Sequence, residues 1–237
     1  IAMNHVIPER AAALVKGIAL ACRDAGCSLI GGETAELPGV YADVDGFDLA
    51  GFVVGAVERG NILDGSAIRE GDVLIALPSS GLHTNGYSLV RHLFDLENQP
   101  EVINQQYTSL GASLGEALLL PHRSYWPLLE PTIPLINGMA HITGGGLPEN
   151  LPRVLPKELG AKVNLASWNI PPLFRLIQEK GHISDDEMFQ VFNMGIGMVL
   201  ISAEKQVPAI LSILEEAWVA GSVIKHRGSS EKVELLP

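Results

Sequence analysis

Three stretches of the chain are apolar at nearly every position, and each predicts a buried strand. They are FDLAGFVVGAV at 47–57, VLIAL at 73–77 and MGIGMVLIS at 194–202. A strand with one solvated face alternates apolar and polar residues, whereas a strand buried on both faces does not. We therefore expect three buried strands, with 47–57 either central in a sheet or at an interface.

Segments with helical periodicity lie between these strands. A helix is predicted over 7–26, where Leu14 and Ile18 share one face, Pro8 lies in the first turn and Gly26 follows the end. Further helices are predicted at 87–96, 113–120, 125–130, 172–180, 185–191 and 204–218, and further strands at 27–30, 161–165, 222–226 and 232–236. Because strands and helices alternate, the predicted class is α/β or α+β.

The first glycine-rich turn is GGETAE at 31–36, which follows the short apolar run at 27–30. Its glycines allow a close backbone approach to a ligand. Glu33, Thr34 and Glu36 offer hard oxygen ligands of the kind that hold Mg²⁺ beside nucleotide phosphates. The alternative is a loop whose acidic side chains are simply solvated.

The second turn, SSGLHTNG at 79–86, lies between the strand at 73–77 and the helix at 87–96. A strand, a loop of small residues and a helix in this order can present backbone N–H groups to an anion. The turn contains no G-K-[ST], so it is not a Walker loop. Candidate ligand-binding residues in it are Ser79, Ser80, His83, Thr84 and Asn85.

The third turn is HITGGG at 141–146, and Asn150 and Arg153 follow it by about one helical turn. Its glycines predict another group of N–H donors, and an arginine can hold a phosphate with two hydrogen bonds. We expect the three turns to converge on one site.

Two histidines, His83 and His141, lie beside glycines in these turns. A histidine titrates near neutral pH, so it can transfer protons or bind a phosphate. The alternative for each is a hydrogen bond that stabilises its loop. The remaining histidines are interpreted as surface or packing residues: His5, His92, His122, His182 and His226.

Composition and charge narrow the class of function. The chain has 237 residues and a formal net charge of −11, and its lysines and arginines form no cluster, so a nucleic-acid surface is not expected. No apolar run is long enough to cross a membrane. Cys22 and Cys27 make no disulfide framework, which favours a reduced, cytoplasmic protein. A turn-rich joint at 61–66 predicts two domains, 1–60 and 61–237.

The order and spacing of several longer motifs resemble one enzyme family. They are GCSLIGGETAELPGVY at 26–41, FDLAGFVVGAVE at 47–58, DGSAIREGDVLIALPSSGLHTNGYSLVR at 64–91, LGEALLLPHRSYW at 114–126, HITGGGLPENLPRVLP at 141–156 and FNMGIGMVL at 192–200. The chain resembles the phosphoribosylformylglycinamidine cyclo-ligases, also called AIR synthetases. His122 and Ser124 depart from the family pattern, and no function is attached to that difference.

The resemblance implies a fold and an assembly. It predicts the C-terminal part of a ferredoxin-like, barrel-forming N-terminal domain, which binds ATP and forms a homodimer, at 1–60. A substrate-binding α/β domain with a mixed sheet is predicted at 61–237. Family members carry roughly a hundred residues before the position that corresponds to Ile1. The chain is therefore expected to lack part of the ATP site.

The resemblance also implies the chemistry: an ATP-dependent C–N ligase of purine biosynthesis. ATP phosphorylates the formyl oxygen of formylglycinamidine ribonucleotide, the amidine nitrogen attacks that carbon, and phosphate leaves as the imidazole forms. Glu33 is the predicted Mg²⁺ ligand, and His83 and His141 are the predicted catalytic residues. Predicted ATP-binding residues are Gly31, Gly32, Glu33, Thr34 and Glu36. Predicted substrate-binding residues are Ser79, Ser80, Gly81, Thr84, Asn85, Thr143, Gly144, Gly145, Gly146, Asn150 and Arg153.

Two alternatives to this function are kept. One is a relative of the same architecture, namely formylglycinamidine synthetase, thiamine-phosphate kinase or selenophosphate synthetase. The other is a dimerisation module that has no catalytic activity.

Overall fold

The chain divides into two compact units, Ile1–Ile62 and Leu63–Pro237. A computed structural model describes residues 1–228 and 231–237. The first unit contains helix α1 (Pro8–Asp24) and three two-residue strands, β1 (Ala2–Met3), β2 (Ala35–Glu36) and β3 (Phe47–Asp48). β1 pairs in parallel with β2 and antiparallel with β3. α1 begins at a proline, where the missing N–H costs nothing, so the predicted helix is confirmed.

The strands predicted in this unit at 27–30 and over most of 47–57 are wrong. Only Phe47 and Asp48 are in a strand, and Phe52 and Val53 are 94% and 79% exposed. A strand needs a neighbour to take its backbone hydrogen bonds. Among the described residues, no strand pairs with the segment 27–30 or with the segment 49–57.

The second unit is organised on a mixed six-stranded sheet. The described strands of this unit are β4 (Val73–Pro78), β5 (Gln106–Tyr107), β6 (Ala112–Ser113), β7 (Gly138–His141), β8 (Leu159–Asn164), β9 (Ile196–Ser202), β10 (Trp218–Lys225) and β11 (Val233–Leu236), and six of them form the sheet. β5 and β6 pair only with each other, and the others lie in the order β11-β8-β10-β4-β9-β7. Only β11 and β8 run parallel. The mixed α/β class is therefore confirmed.

Helices cover both faces of this sheet, with α5 (Gly146–Asn150) on one face and α4 (Trp126–Leu129) and α8 (Val207–Ile213) on the other. The remaining helices, α2 (Tyr87–Leu93), α3 (Leu114–Leu118), α6 (Pro172–Gly181) and α7 (Asp185–Val191), pack with one another in a separate core. Along β4, Leu74 and Ala76 pack into a core that includes α5, whereas Ile75 and Leu77 pack into a core with α4 and α8. Successive side chains of a strand point to opposite faces, so β4 is buried on both. All seven residues of β9 are buried, which confirms the strands predicted at 73–77 and 194–202.

The helix predicted over 204–218 is wrong in its second half. A 3₁₀ turn (Glu204–Gln206) leads into α8, and β10 already begins at Trp218. Leu214 has φ −111° and ψ 77°, which is not helical and ends α8 at Ile213. No described helix is both long and apolar enough to cross a membrane.

Candidate functional site

The sheet topology brings the second and third glycine-rich turns to one edge. β4 and β7 both run antiparallel to β9, with Pro78 opposite Ile196 and His141 opposite Met198. The two strands therefore end on either side of β9, near its first residues. β7 was not among the strands predicted from the sequence, and His141 is the last residue of this edge strand.

Both turns also rest on the segment around the end of α7. A Cβ on Gly86 would overlap the ring of Phe192, and a Cβ on Gly146 would overlap the carbonyl oxygen of Phe189. A Cβ on Gly144 would lie 3.2 Å from Oδ1 of Asn85. These contacts place 79–86 against 141–146, as the expected convergence of the second and third turns requires.

Asn193 fixes the start of the second turn. It is 1% exposed; its Oδ1 accepts a hydrogen bond of 2.9 Å from the Ser79 hydroxyl, and its Nδ2 donates one of 2.8 Å to the carbonyl of Gly81. His83 and Thr84 then adopt left-handed backbone conformations, with φ of 51° and 65°. The sequence analysis did not single out Asn193, although it lies in the motif at 192–200, because its partners Ser79 and Gly81 are distant in sequence.

His83 is a buried residue with an unusual polar environment. Its Nε2 accepts a hydrogen bond of 2.9 Å from the backbone N–H of Ser80, and the Ser80 hydroxyl lies 2.9 Å from the same nitrogen. Its Nδ1 is buried and has no hydrogen-bond partner among the described residues. Burial, together with the nearby positive charges of His122, His141 and Arg123, lowers the pKa of His83 to about 4.

Three imidazoles form one cluster at this edge. His122 stacks on His83 with ring centroids 4.1 Å apart, and its Nε2 lies 3.2 Å from Nε2 of His141. Burial lowers the pKa of both His122 and His141, so all three rings are neutral at pH 7. His122 was interpreted from sequence as a surface or packing residue, and the structure places it between the two histidines that were singled out.

A glycine in β9 makes room for the cluster. A Cβ on Gly197 would overlap the hydroxyl of Tyr125 and lie 2.9 Å from Cε1 of His83. The Tyr125 hydroxyl donates a hydrogen bond of 2.7 Å to the carbonyl of Pro78, and burial raises its pKa. Gly197 therefore sets how closely the rings pack against the sheet, although in the sequence it is only one glycine in an apolar run.

The third turn is held from within by Asn150. This side chain is 3% exposed, and its Nδ2 donates hydrogen bonds of 2.8 Å to the carbonyl of Gly146 and 3.2 Å to that of Gly144. Its Oδ1 accepts a hydrogen bond of 3.1 Å from the Thr143 hydroxyl. Asn150 thus shapes the turn, whereas Arg153 is exposed in a 3₁₀ turn (Leu151–Arg153).

The first turn belongs to the other unit. Its residues 31–36 are exposed, and Glu36 lies in β2 with its Oε1 3.1 Å from Nδ1 of His5. Glu33 and Thr34 keep exposed oxygen atoms, which are the donors that Mg²⁺ prefers. The donor set therefore fits the predicted metal, with Glu33 more available than Glu36.

The low pKa of His83 predicts a pH-dependent stability. The unfolded imidazole binds a proton below its ordinary pKa of 6.5 and the folded one below about 4. Stability from keeping His83 neutral is therefore complete above pH 6.5 and is lost as the pH falls towards 4. Between pH 7 and 4.5 we expect a loss of about 2.5 kcal/mol in the free energy of unfolding from this residue.

Urea unfolding at both pH values measures this loss. Asparagine tolerates a left-handed backbone, so His83→Asn should fold. Between pH 7 and 4.5 its free energy of unfolding should fall by about 2.5 kcal/mol less than that of the wild type. His92→Asn changes an exposed histidine of α2 and should keep the wild-type dependence. Equal pH dependence in the wild type and His83→Asn would contradict the assignment.

Comparisons with known proteins agree with this architecture. The family model described as AIR synthase related protein, N-terminal domain, matches residues 1–57, and the one for the C-terminal domain matches 69–234. The phosphoribosylformylglycinamidine cyclo-ligase of Caldicellulosiruptor bescii is 51% identical over 95% of this chain and 67% of its own length. The cyclo-ligase of Geobacillus kaustophilus is 50% identical over 97% of this chain and 68% of its own.

Solved structures show the same fold at much lower identity. Thiamine-monophosphate kinase from Stenotrophomonas maltophilia superposes with a TM-score of 0.65 at 16% identity, over 99% of this chain and 70% of that one. HypE from E. coli superposes with a TM-score of 0.62 at 17% identity, over 99% and 67%. Both family models and the high-identity relatives cover nearly the whole sequence, and on that evidence the chain belongs to the AIR synthase related family.

Proposed function

We propose that the protein is a phosphoribosylformylglycinamidine cyclo-ligase. It would close formylglycinamidine ribonucleotide to aminoimidazole ribonucleotide and convert ATP to ADP and phosphate, with the formyl oxygen leaving in the phosphate. The observation that carries this proposal is identity of 50–51% with cyclo-ligases over 95–97% of the chain. The fold neighbours at 16–17% identity share the architecture, and that likeness does not favour their activities over this one.

The region where the second and third turns meet is the proposed substrate site. Asn85 of the second turn lies against Gly144 of the third, and the histidine cluster lies at the strand ends beside them. A small phosphorylated ligand needs such closely spaced donors, because its charge must be stabilised where water is partly excluded. The polar groups of Asn150 are already used inside the turn, so its proposed role is to shape the site.

His141 is the proposed proton acceptor. It is exposed and neutral at pH 7, so it can take the proton that the amidine nitrogen loses when it attacks the activated carbon. His83 is buried and its Nε2 accepts a hydrogen bond from the Ser80 N–H, so its proposed role is to hold the turn that binds the ligand. This division of roles follows from the exposure of the two rings.

The first turn is the proposed site for ATP and Mg²⁺. Glu33 would hold the metal, and Gly31, Gly32 and Thr34 would approach the phosphates. Mg²⁺ bound there supplies positive charge that stabilises the transferring phosphoryl group. Phosphoryl transfer needs positioning more than covalent chemistry, and a glycine turn with an exposed carboxylate suits that need.

The proposed assembly is a cytoplasmic homodimer formed through the first unit. Ile30 and Phe52 are 95% and 94% exposed, and Val53 and Val54 are 79% and 78% exposed. Apolar side chains exposed to this degree are typical of surfaces that another chain or segment covers.

A steady-state assay of the purified protein tests the proposed activity. With ATP, Mg²⁺ and formylglycinamidine ribonucleotide, we expect ADP and the imidazole product in equal amounts. When thiamine monophosphate replaces the ribonucleotide, we expect no imidazole product and no release of ADP. ADP without imidazole would favour a relative of the same architecture, and no turnover at all would favour a binding role.

A further inference from the structure

The histidine cluster has the ligand composition of a transition-metal site. One ring nitrogen from each of His83, His122 and His141 lies within 4.8 Å of the other two. Imidazole nitrogen suits Zn²⁺, Cu²⁺ and Ni²⁺, whereas Mg²⁺ prefers oxygen. Three histidines are also the protein ligands of some zinc sites that keep a fourth position open.

One distance in the cluster, between a nitrogen of His122 and one of His141, is close to that of a bound state. In a tetrahedral zinc site with Zn–N bonds of 2.0–2.1 Å, two ligand nitrogens lie about 3.3 Å apart. The Nε2 atoms of His122 and His141 are 3.2 Å apart. His83 and His122 are stacked with an interplanar angle of 17°, so their nitrogens do not yet aim at one point. His122 is exposed and can turn about its side-chain bonds.

One positively charged side chain lies near the cluster, and its charge is compensated. The nearest cationic side chain, Arg123, donates hydrogen bonds to the carboxylate of Glu216, which compensates its charge. Binding through His83 would require this ring to give up the hydrogen bond from the Ser80 N–H.

We propose that His83, His122 and His141 form a binding site for one divalent transition-metal ion of the zinc class. The site is separate from the Mg²⁺ site proposed in the first unit, because its ligands are nitrogen atoms and all lie in the second unit. Binding of the ion requires neither ATP nor ribonucleotide, but it uses the nitrogen lone pair with which His141 would accept a proton, so a bound ion and the proposed reaction compete for that residue.

Titration of the full chain with Co²⁺ and with Zn²⁺ tests the site directly. Bound Co²⁺ reports its coordination in the visible spectrum, and calorimetry with Zn²⁺ gives the stoichiometry. We expect one Zn²⁺ per chain, displacement of Co²⁺ by Zn²⁺, and no displacement by an equal concentration of Mg²⁺.

His122→Gln is the decisive variant, because it removes an exposed ring and leaves both turns intact. Loss of a partner outside the ligand shell already weakens metal sites about 10–100-fold, so loss of this ligand should weaken Zn²⁺ binding by more than about 100-fold. His92→Gln, the same change at an exposed histidine outside the cluster, should bind as the wild type does. Equal affinity in His122→Gln and the wild type, or no saturable binding to the wild type, would overturn the proposal.

Discussion

Replacing Gly146 with alanine is expected to abolish turnover and to lower the free energy of unfolding by about 3 kcal/mol or more. Gly146 has φ 56°, and an added Cβ would overlap the carbonyl oxygen of Phe189 and lie 2.9 Å from that of Phe192. Both obstacles are backbone atoms, so the turn or the end of α7 must move. The turn carries residues of the proposed substrate site, and its displacement would separate them from 79–86.

Gly111→Ala is the matched control for this variant. Gly111 also has a left-handed backbone, with φ 63°, but a Cβ there would meet nothing within 4 Å. The Gly111→Ala substitution should therefore lower the free energy of unfolding by only about 1 kcal/mol and leave turnover unchanged. Urea unfolding and the steady-state assay compare the two variants. Equal effects of the two substitutions would show that close packing at Gly146 does not matter.

Replacing His141 with glutamine is expected to lower kcat/KM by about 100-fold or more, with little loss of stability. General acid–base catalysis by a positioned side chain contributes about 10²–10⁴-fold, and glutamine retains polarity without accepting a proton near pH 7. His141 ends an edge strand and is exposed, so its removal leaves no cavity. The fall should be mainly in kcat if the residue accepts a proton, and mainly a rise in KM if it only binds the substrate.

His92→Gln serves as the control in the same assay. It exchanges an exposed imidazole of α2 for the same amide, and its kcat/KM should stay within about twofold of the wild type. Wild-type turnover in His141→Gln would remove this residue from the proposed machinery.

The parts of the fold that sequence predicts well are those whose partners lie in the same unit. The segments 73–77 and 194–202 are apolar on both faces because β4 and β9 are covered on both sides of one sheet. The segment 47–57 has the same composition and is mostly not a strand. Strand formation requires a neighbour with free hydrogen-bonding groups, and composition says nothing about whether one is present.

For the site, too, local sequence patterns identify some residues and not others. His83 and His141 could be singled out because each lies beside glycines in a turn. His122, Asn193 and Gly197 could not, since each acts through a contact with residues distant in sequence. Pairing of β4 and β7 with β9 creates those contacts, and it depends on strand order rather than on any local pattern.

Two turns separated by more than fifty positions in sequence are proposed to form one binding site for a phosphorylated ribonucleotide. Nuclear magnetic resonance of the histidine rings during addition of formylglycinamidine ribonucleotide tests this proposal. We expect saturable shifts of the resonances of both His83 and His141 at one common affinity, while those of His92 and His182 stay in place. Saturable binding that moves neither His83 nor His141, or only one of them, would contradict it.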